Sequence, residues 1–120
     1  MEIMLDTSSI LFAFKNKNNI FALLGYQFPG AEPVISKGVK DELIRLSKSR
    51  KQISIAAGSA LKEIAANGVK VLPSTAVPDA WLLNVAGSGI FICTNDIALK
   101  RKLRKKGANV FSITRSGKIL

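Results

Sequence analysis

Histidine is missing from this chain, and cysteine, tryptophan and tyrosine occur once each. Without histidine there is no imidazole to act as a general base or to ligate zinc. A single cysteine, Cys93, cannot form an internal disulfide. It lies in the apolar run Gly89-Ile90-Phe91-Ile92-Cys93 and reads as a small buried core residue. No stretch approaches the roughly 20 apolar residues of a membrane span. The start, Met1-Glu2-Ile3-Met4-Leu5-Asp6, lacks the basic segment and long apolar run of a secretory leader, so a reduced cytoplasmic setting is expected. Negative charge is scarce too: eight Asp and Glu stand against eighteen Lys and Arg. Acid–base or metal chemistry therefore falls to a few carboxylates.

Positive charge is abundant. The net charge of +10 on 120 residues favours a polyanionic partner. Lys100, Arg101, Lys102, Arg104, Lys105 and Lys106 crowd one segment, and no acid follows Asp96. The apolar companions of that run, Ile97, Leu99 and Leu103, form a narrow stripe suited to a core rather than to a membrane surface. Nucleic acid is the expected partner.

With 48% hydrophobic residues the chain can fill a core without staples, and residues 1–120 read as one domain. Short apolar runs alternate with helical patterns. Strands are expected at 3–5, 33–36, 69–72, 90–94 and 110–113. Helices are expected at 9–14, 20–26, 39–46, 53–66, 78–86 and 97–106, with Asn67-Gly68 and Gly107 as stops. This alternation predicts a three-layer α/β/α fold around an open, mostly parallel five-stranded sheet. Strands two to five are apolar throughout, as when both faces are covered. Ligands of such sheets bind beyond the carboxyl ends of the strands, at the topological switch point.

Four carboxylates stand at boundaries that open onto that edge: Asp6, Glu42, Asp79 and Asp96. Asp6 ends the first strand, and because Thr7 or Ser8 can cap the following helix, Asp6 is redundant as a cap. Glu42 and its neighbour Asp41 face different ways. Val39, Leu43 and Leu46 define the buried stripe of their helix, with Glu42 about 60° from Val39 and Asp41 about 200° away. Asp41 is expected to pair with Arg45, whereas Glu42 lacks such a partner. Asp79 follows Pro78 and opens a helix that is apolar nearly all round, where it aligns with Leu83 and Ala86 on an inner face. Asp96 caps or flanks the basic helix, with Thr94 and Asn95 placed to orient it.

Gathered in one place, these groups need relief from their own repulsion. At about 6 Å and an effective dielectric of about 20, each pair repels by roughly 3 kcal/mol, on the order of 15 kcal/mol for the set. A divalent cation relieves this most directly. All-oxygen ligands favour magnesium or manganese over zinc.

The four residues with their surroundings resemble a PIN domain. The carrying segments are Leu5-Asp6-Thr7-Ser8, Val39-Lys40-Asp41-Glu42-Leu43, Asp79 at the head of a helix, Cys93-Thr94-Asn95-Asp96-Ile97-Ala98-Leu99, and Lys106-Gly107-Ala108-Asn109-Val110. Thr-Asn-Asp ahead of a basic helix is the most specific of them, and the likeness spans essentially the whole chain. The resemblance implies a parallel five-stranded sheet between helices and a magnesium- or manganese-dependent endoribonuclease. It also implies that Asp6, Glu42, Asp79 and Asp96 form the acidic site, with Ser8 and Thr94 in support. Some family members carry a further acid two residues past the fourth; here that position is Ala98, which leaves one fewer ligand for a second metal. No zinc-ribbon cysteines follow.

Hydrolysis of RNA is then expected, with Lys37, Lys40, Lys100, Arg101, Arg104 and Lys105 tracking the phosphate backbone. A toxin held by a small antitoxin protein and an RNA-processing nuclease are both compatible with these residues, and a second copy of the chain is a further candidate partner. The rival expectation is a non-catalytic RNA-binding module acting in ribosome or other ribonucleoprotein assembly.

Overall fold

A computed structural model describes residues 1–120. Five strands and six helices alternate along the chain: β1 (Glu2–Leu5), α1 (Thr7–Lys15), α2 (Ile20–Gln27), β2 (Glu32–Ser36), α3 (Lys37–Ser47), α4 (Ile53–Ala66), β3 (Lys70–Leu72), α5 (Pro78–Val85), β4 (Phe91–Cys93), α6 (Ile97–Lys105) and β5 (Asn109–Phe111). All strand pairs are parallel, in the order β3-β2-β1-β4-β5. The three-layer α/β/α architecture expected from the alternation is the one found.

Local chemistry explains most boundaries. Asp6, Asn19, Ser36 and Asp96 each cap a helix by accepting a backbone N–H from its first turn. Pro78 opens α5 at a position where its missing N–H costs nothing. Central strand β1 buries Ile3 and Leu5 completely, and Ile35, Ile92 and Cys93 join them in a core completed by Ile10, Leu24, Leu43, Leu82 and Leu103. Coverage fails at the edge. Lys70 and Val71 of β3 are exposed, so the uniformly apolar reading of that strand does not mean burial on both faces.

The chain runs outward from β1 to β2 and β3, then returns across the sheet to β4 and β5. Right-handed crossovers send α1–α4 to one face and α5 and α6 to the other, and the helices pack in those groups, α3 on α4, α1 on α4, and α5 on α6. The direction of winding reverses between β1 and β4. At that switch point the register pairs Leu5 with Cys93, which brings the next residues, Asp6 and Thr94, together. The N–H of Asp6 donates to the Cys93 carbonyl at 3.3 Å, and that of Thr94 to the Phe111 carbonyl at 2.9 Å.

Two features were not anticipated from the sequence. The segment after β3 lies directly over the start of α3, where the Gly38 N–H donates to the Ser74 carbonyl at 3.0 Å. Beyond β5 the chain folds into a small antiparallel hairpin. Ile113 faces Ile119 across it and both are buried, while Ser112 and Leu120 exchange two backbone bonds of 2.9 Å.

Candidate active site

Asp6 is the hub of the carboxyl edge, and it is only 2% exposed. Its Oδ1 accepts the Ser9 N–H at 2.9 Å, so Asp6 itself caps α1 and is not redundant there. Its Oδ2 accepts two hydroxyls, Ser8 Oγ at 2.7 Å and Thr94 Oγ1 in a short bond. Thr94 in turn receives the Asp96 N–H at 3.1 Å, and Ser8 receives the Asn95 N–H at 3.3 Å. One network thus joins the end of β1, the first turn of α1 and the Thr94-Asn95-Asp96 loop. Asp96 completes it by capping α6 through the Leu99 N–H at 3.0 Å. Ser8 and Thr94 thus fix the Asp6 carboxylate, whereas Asn95 joins through its backbone N–H only and turns its carboxamide to Ile113 rather than to Asp96.

Glu42 and Asp79 enter from the other direction. They line a cleft of about 400 Å³ together with Thr7, Ser8, Leu11 and Pro78. Burial pushes the Glu42 carboxyl above its usual range; Arg45 partly offsets this, while Asp79 and Asp6 push it further. Asp79 is likewise raised, first by partial desolvation and then by Asp96 and Asp6, with Lys102 opposing. Asp6 therefore lies within electrostatic reach of both Glu42 and Asp79, and Asp96 within reach of Asp79. They do not form a finished cage, because no three of them stand close enough together to hold a metal ion in this arrangement.

Some placements differ from expectation. Asp79 is exposed at the cleft rim rather than held on an inner face, and α5 is apolar on one side only, with Trp81 and Leu82 buried and Ala80 and Asn84 exposed. The Asp79 carboxylate reaches solvent at the rim and needs no buried partner, although Pro78 and Leu82 beside it are buried. Asp41 pairs with Lys37 at 2.9 Å rather than with Arg45, because both reach outward one turn apart at the start of α3. That pairing occupies one cation of the expected RNA track. Lys100 and Arg104 are also tethered: Lys100 Nζ donates to Ser112 Oγ at 2.7 Å and Arg104 to the Val110 carbonyl at 3.4 Å. Partial burial, then Arg104, lowers the Lys100 pKa. Arg101 and Lys105 are exposed on α6, and Lys40 is half-buried on α3.

Three polar residues beside the site have roles that the sequence does not assign them. Ser9 donates to the carbonyls of Asp6 and Cys93, stitching β1 to β4. Ser112 donates to the Thr94 carbonyl at 2.8 Å. Thr7 lines the cleft with a buried hydroxyl that has no hydrogen-bond partner. The Thr7-Ser8-Ser9 run was the available signal for two of them. Burial also pushes the Cys93 thiol up to about 12, which removes it as a thiolate donor and leaves an all-oxygen set.

A family profile described as a PIN-like domain matches residues 3–116. Among solved structures, the PIN domain endonuclease Utp24 superposes with a TM-score of 0.79 at 24% identity, covering 98% of this chain and 88% of that one. A domain of a functionally unknown protein from Methanocaldococcus jannaschii DSM 2661 superposes with a TM-score of 0.65 at 15% identity, covering 94% and 91%. At these identities the structural likeness is one of fold. The search of curated proteins gave no match.

Proposed function

Since this chain belongs to the PIN-like domain family, we propose that it is a divalent-metal-dependent endoribonuclease that hydrolyses RNA phosphodiester bonds. The observation that carries the reading is the placement of Asp6 and the Asp96 loop at the switch point of the sheet, within electrostatic reach of Asp79, which lines one cleft with Glu42.

The donor chemistry fits magnesium or manganese, since every available group is a hard oxygen. Magnesium keeps several waters and needs only one or two direct carboxylates, so a three-carboxylate cage is not required. Asp6, Glu42, Asp79 and Asp96 would hold it. When bound, such a cation lowers the pKa of water and offsets charge on phosphate oxygens.

The chain's own residues do the rest. Ser8 and Thr94 hold Asp6 in one orientation by donating to Oδ2, so its position is set before substrate arrives. The raised pKa values of Glu42 and Asp79 bring a carboxylate closer to the range in which a base works near neutral pH, and no histidine competes for that role. Exposed Arg101 and Lys105, with Lys40, supply charge for the RNA backbone.

The separation of the carboxylates favours a second reading, an RNA-binding module without turnover. Cleavage of structured RNA in magnesium, manganese or EDTA by wild type and Asp96→Asn decides between them. The nuclease reading expects metal-dependent cutting that the substitution abolishes. Activity that survives EDTA or the substitution defeats it, and metal-independent binding without cutting establishes the module. For the biological role, a toxin silenced by a small antitoxin protein predicts growth arrest on expression, relieved by Asp6→Asn, whereas an RNA-processing nuclease predicts none.

A further inference from the structure

Residues 97–120 contain no acidic residue and carry eight of the eighteen cations; residues 7–31, also without an acid, carry two. The fold lays these stretches against each other. Phe28 packs on Phe111 with ring centroids 5.4 Å apart. The Asn18 carboxamide donates to the Arg115 carbonyl at 3.0 Å. Gln27 accepts the Ile119 N–H at 3.0 Å and donates to its carbonyl at 3.4 Å.

The terminal hairpin is the centre of this flank, and it is firmly mounted. Its inner face is the buried Ile113–Ile119 pair. Its tip is a tight turn in which the Gly117 N–H donates to the Thr114 carbonyl at 3.0 Å, with Gly117 at φ 91°. A side chain at Gly117 would press on Asn18 and Leu23, so the tip sits directly on α2. Arg115 and Lys118 are left exposed on the outside with no carboxylate partner.

The hairpin is also continuous with the site. The Asn95 carboxamide donates to the Ile113 carbonyl at 2.9 Å and accepts its N–H at 3.0 Å. Asn95 immediately precedes Asp96. Tyr26, the only tyrosine, is 84% exposed on α2, next to Gln27, whose carboxamide bonds Ile119 of the hairpin. On α2 it lies about 60° around from Leu23, the residue that meets Gly117, toward solvent. A rigid cationic surface beside an exposed aromatic ring is the combination that single-stranded nucleic acid recognises: phosphates by charge, bases by stacking.

We infer that this hairpin flank is a second RNA-binding surface, on which Arg115 and Lys118 contact the backbone of a strand leaving the cleft past Asn95 and Tyr26 stacks one of its bases. It rests on RNA being the substrate. Arg115 and Lys118 lie beyond the α6 cations that the sequence singled out, of which Lys100 reaches the base of the hairpin at Ser112.

The test is equilibrium binding of a fluorescent oligouridine of about 30 nucleotides in EDTA, over a range of salt concentrations. Arg115→Ala/Lys118→Ala should weaken binding about tenfold at low salt. It should also make the slope of log K against log salt shallower by roughly 1.4, at roughly 0.7 per phosphate contact. Tyr26→Ser should weaken binding about tenfold without changing that slope. The control pair Lys48→Ala/Lys62→Ala, at the end of α3 and on α4, exposed and in no ion pair, should alter neither. Thermal melting of each variant should match wild type, since all these side chains are exposed. Wild-type binding by the hairpin variants, or an equal loss in the control pair, overturns the inference. Because binding is read without metal, the two readings fail separately. A protein that never cuts RNA but shows the slope change keeps this surface and loses the nuclease, while normal cutting with an unchanged slope does the reverse.

Discussion

A Cβ added to Gly38 would overlap the carbonyl oxygen of Ala76. Backbone cannot yield as a flexible side chain does, so Gly38→Ala should push the 74–77 segment off the start of α3 and carry Asp79 with it. The expected result is a lower melting temperature and loss of RNA cleavage. Gly58→Ala is the matching control: it lies in α4 with open space around its Cα, and it should stabilise by about 0.5–1 kcal/mol. Melting curves and cleavage rates of both variants check this. Wild-type behaviour of Gly38→Ala would show that the segment adjusts without cost.

Thr7 keeps a buried hydroxyl without a partner. Replacing it with Val removes a desolvated polar group while keeping the branched shape. Thr7→Val should therefore raise stability by about 1 kcal/mol in denaturant unfolding. A loss of stability would mean that the hydroxyl is satisfied in solution.

Asp6 receives three hydrogen bonds, two from hydroxyls and one from a helix N–H. In Asp6→Asn an amide nitrogen or a neutral oxygen replaces the acceptor that Ser8 and Thr94 share. This substitution should cost about 1–2 kcal/mol, because hydrogen bonds to charged groups are the stronger ones. Asp96→Asn should be nearly neutral, since Asn caps helices as well as Asp does. Paired unfolding curves test the difference. Equal stabilities would place Asp6 outside the structural network.

Glu42 and Asp79 have raised pKa values in the folded protein. The unfolded chain therefore gives up these protons first as pH rises. Each group destabilises the fold once pH exceeds the unfolded value, and the full effect is present above the folded value. Below the ordinary carboxylate range the contribution vanishes. Lowering pH from neutral toward the raised values should stabilise the metal-free protein, and Glu42→Gln should flatten that trend. Added magnesium should raise the melting temperature more at neutral pH than at acid pH, because protons compete for the same oxygens. Calorimetry across pH with magnesium or EDTA measures both trends; the opposite sign in EDTA would contradict the burial seen for Glu42.

Most of the fold was legible because its signals are local. Helix α4 was bounded by Asn67-Gly68, α5 by Pro78, and the strands by short apolar runs between helical patterns, so the parallel sheet and the edge where Asp6 and Asp96 meet followed from alternation. The four carboxylates were found as boundary residues. What escaped was set by contacts distant in sequence. The hydroxyl network of Asp6 needs Thr94 brought across by the β1–β4 register, and Asp79's exposure depends on how α5 packs on α6. The Asp41 pairing turned on a choice between two equivalent i,i+4 neighbours, Lys37 and Arg45, which spacing cannot make. The hairpin was missed because Ile113 and Ile119 form too short an apolar pattern on either side of a turn.

Through its two bonds to Ile113, the Asn95 carboxamide does the work of a missing strand neighbour. A peptide-like rung made by a side chain couples hairpin opening to the loop that holds Asp96. The Ile113 amide should therefore exchange with deuterium about as slowly as the adjoining sheet amides, although it lies outside every named strand, and Asn95→Ala should release it together with the Leu99 amide that Asp96 caps.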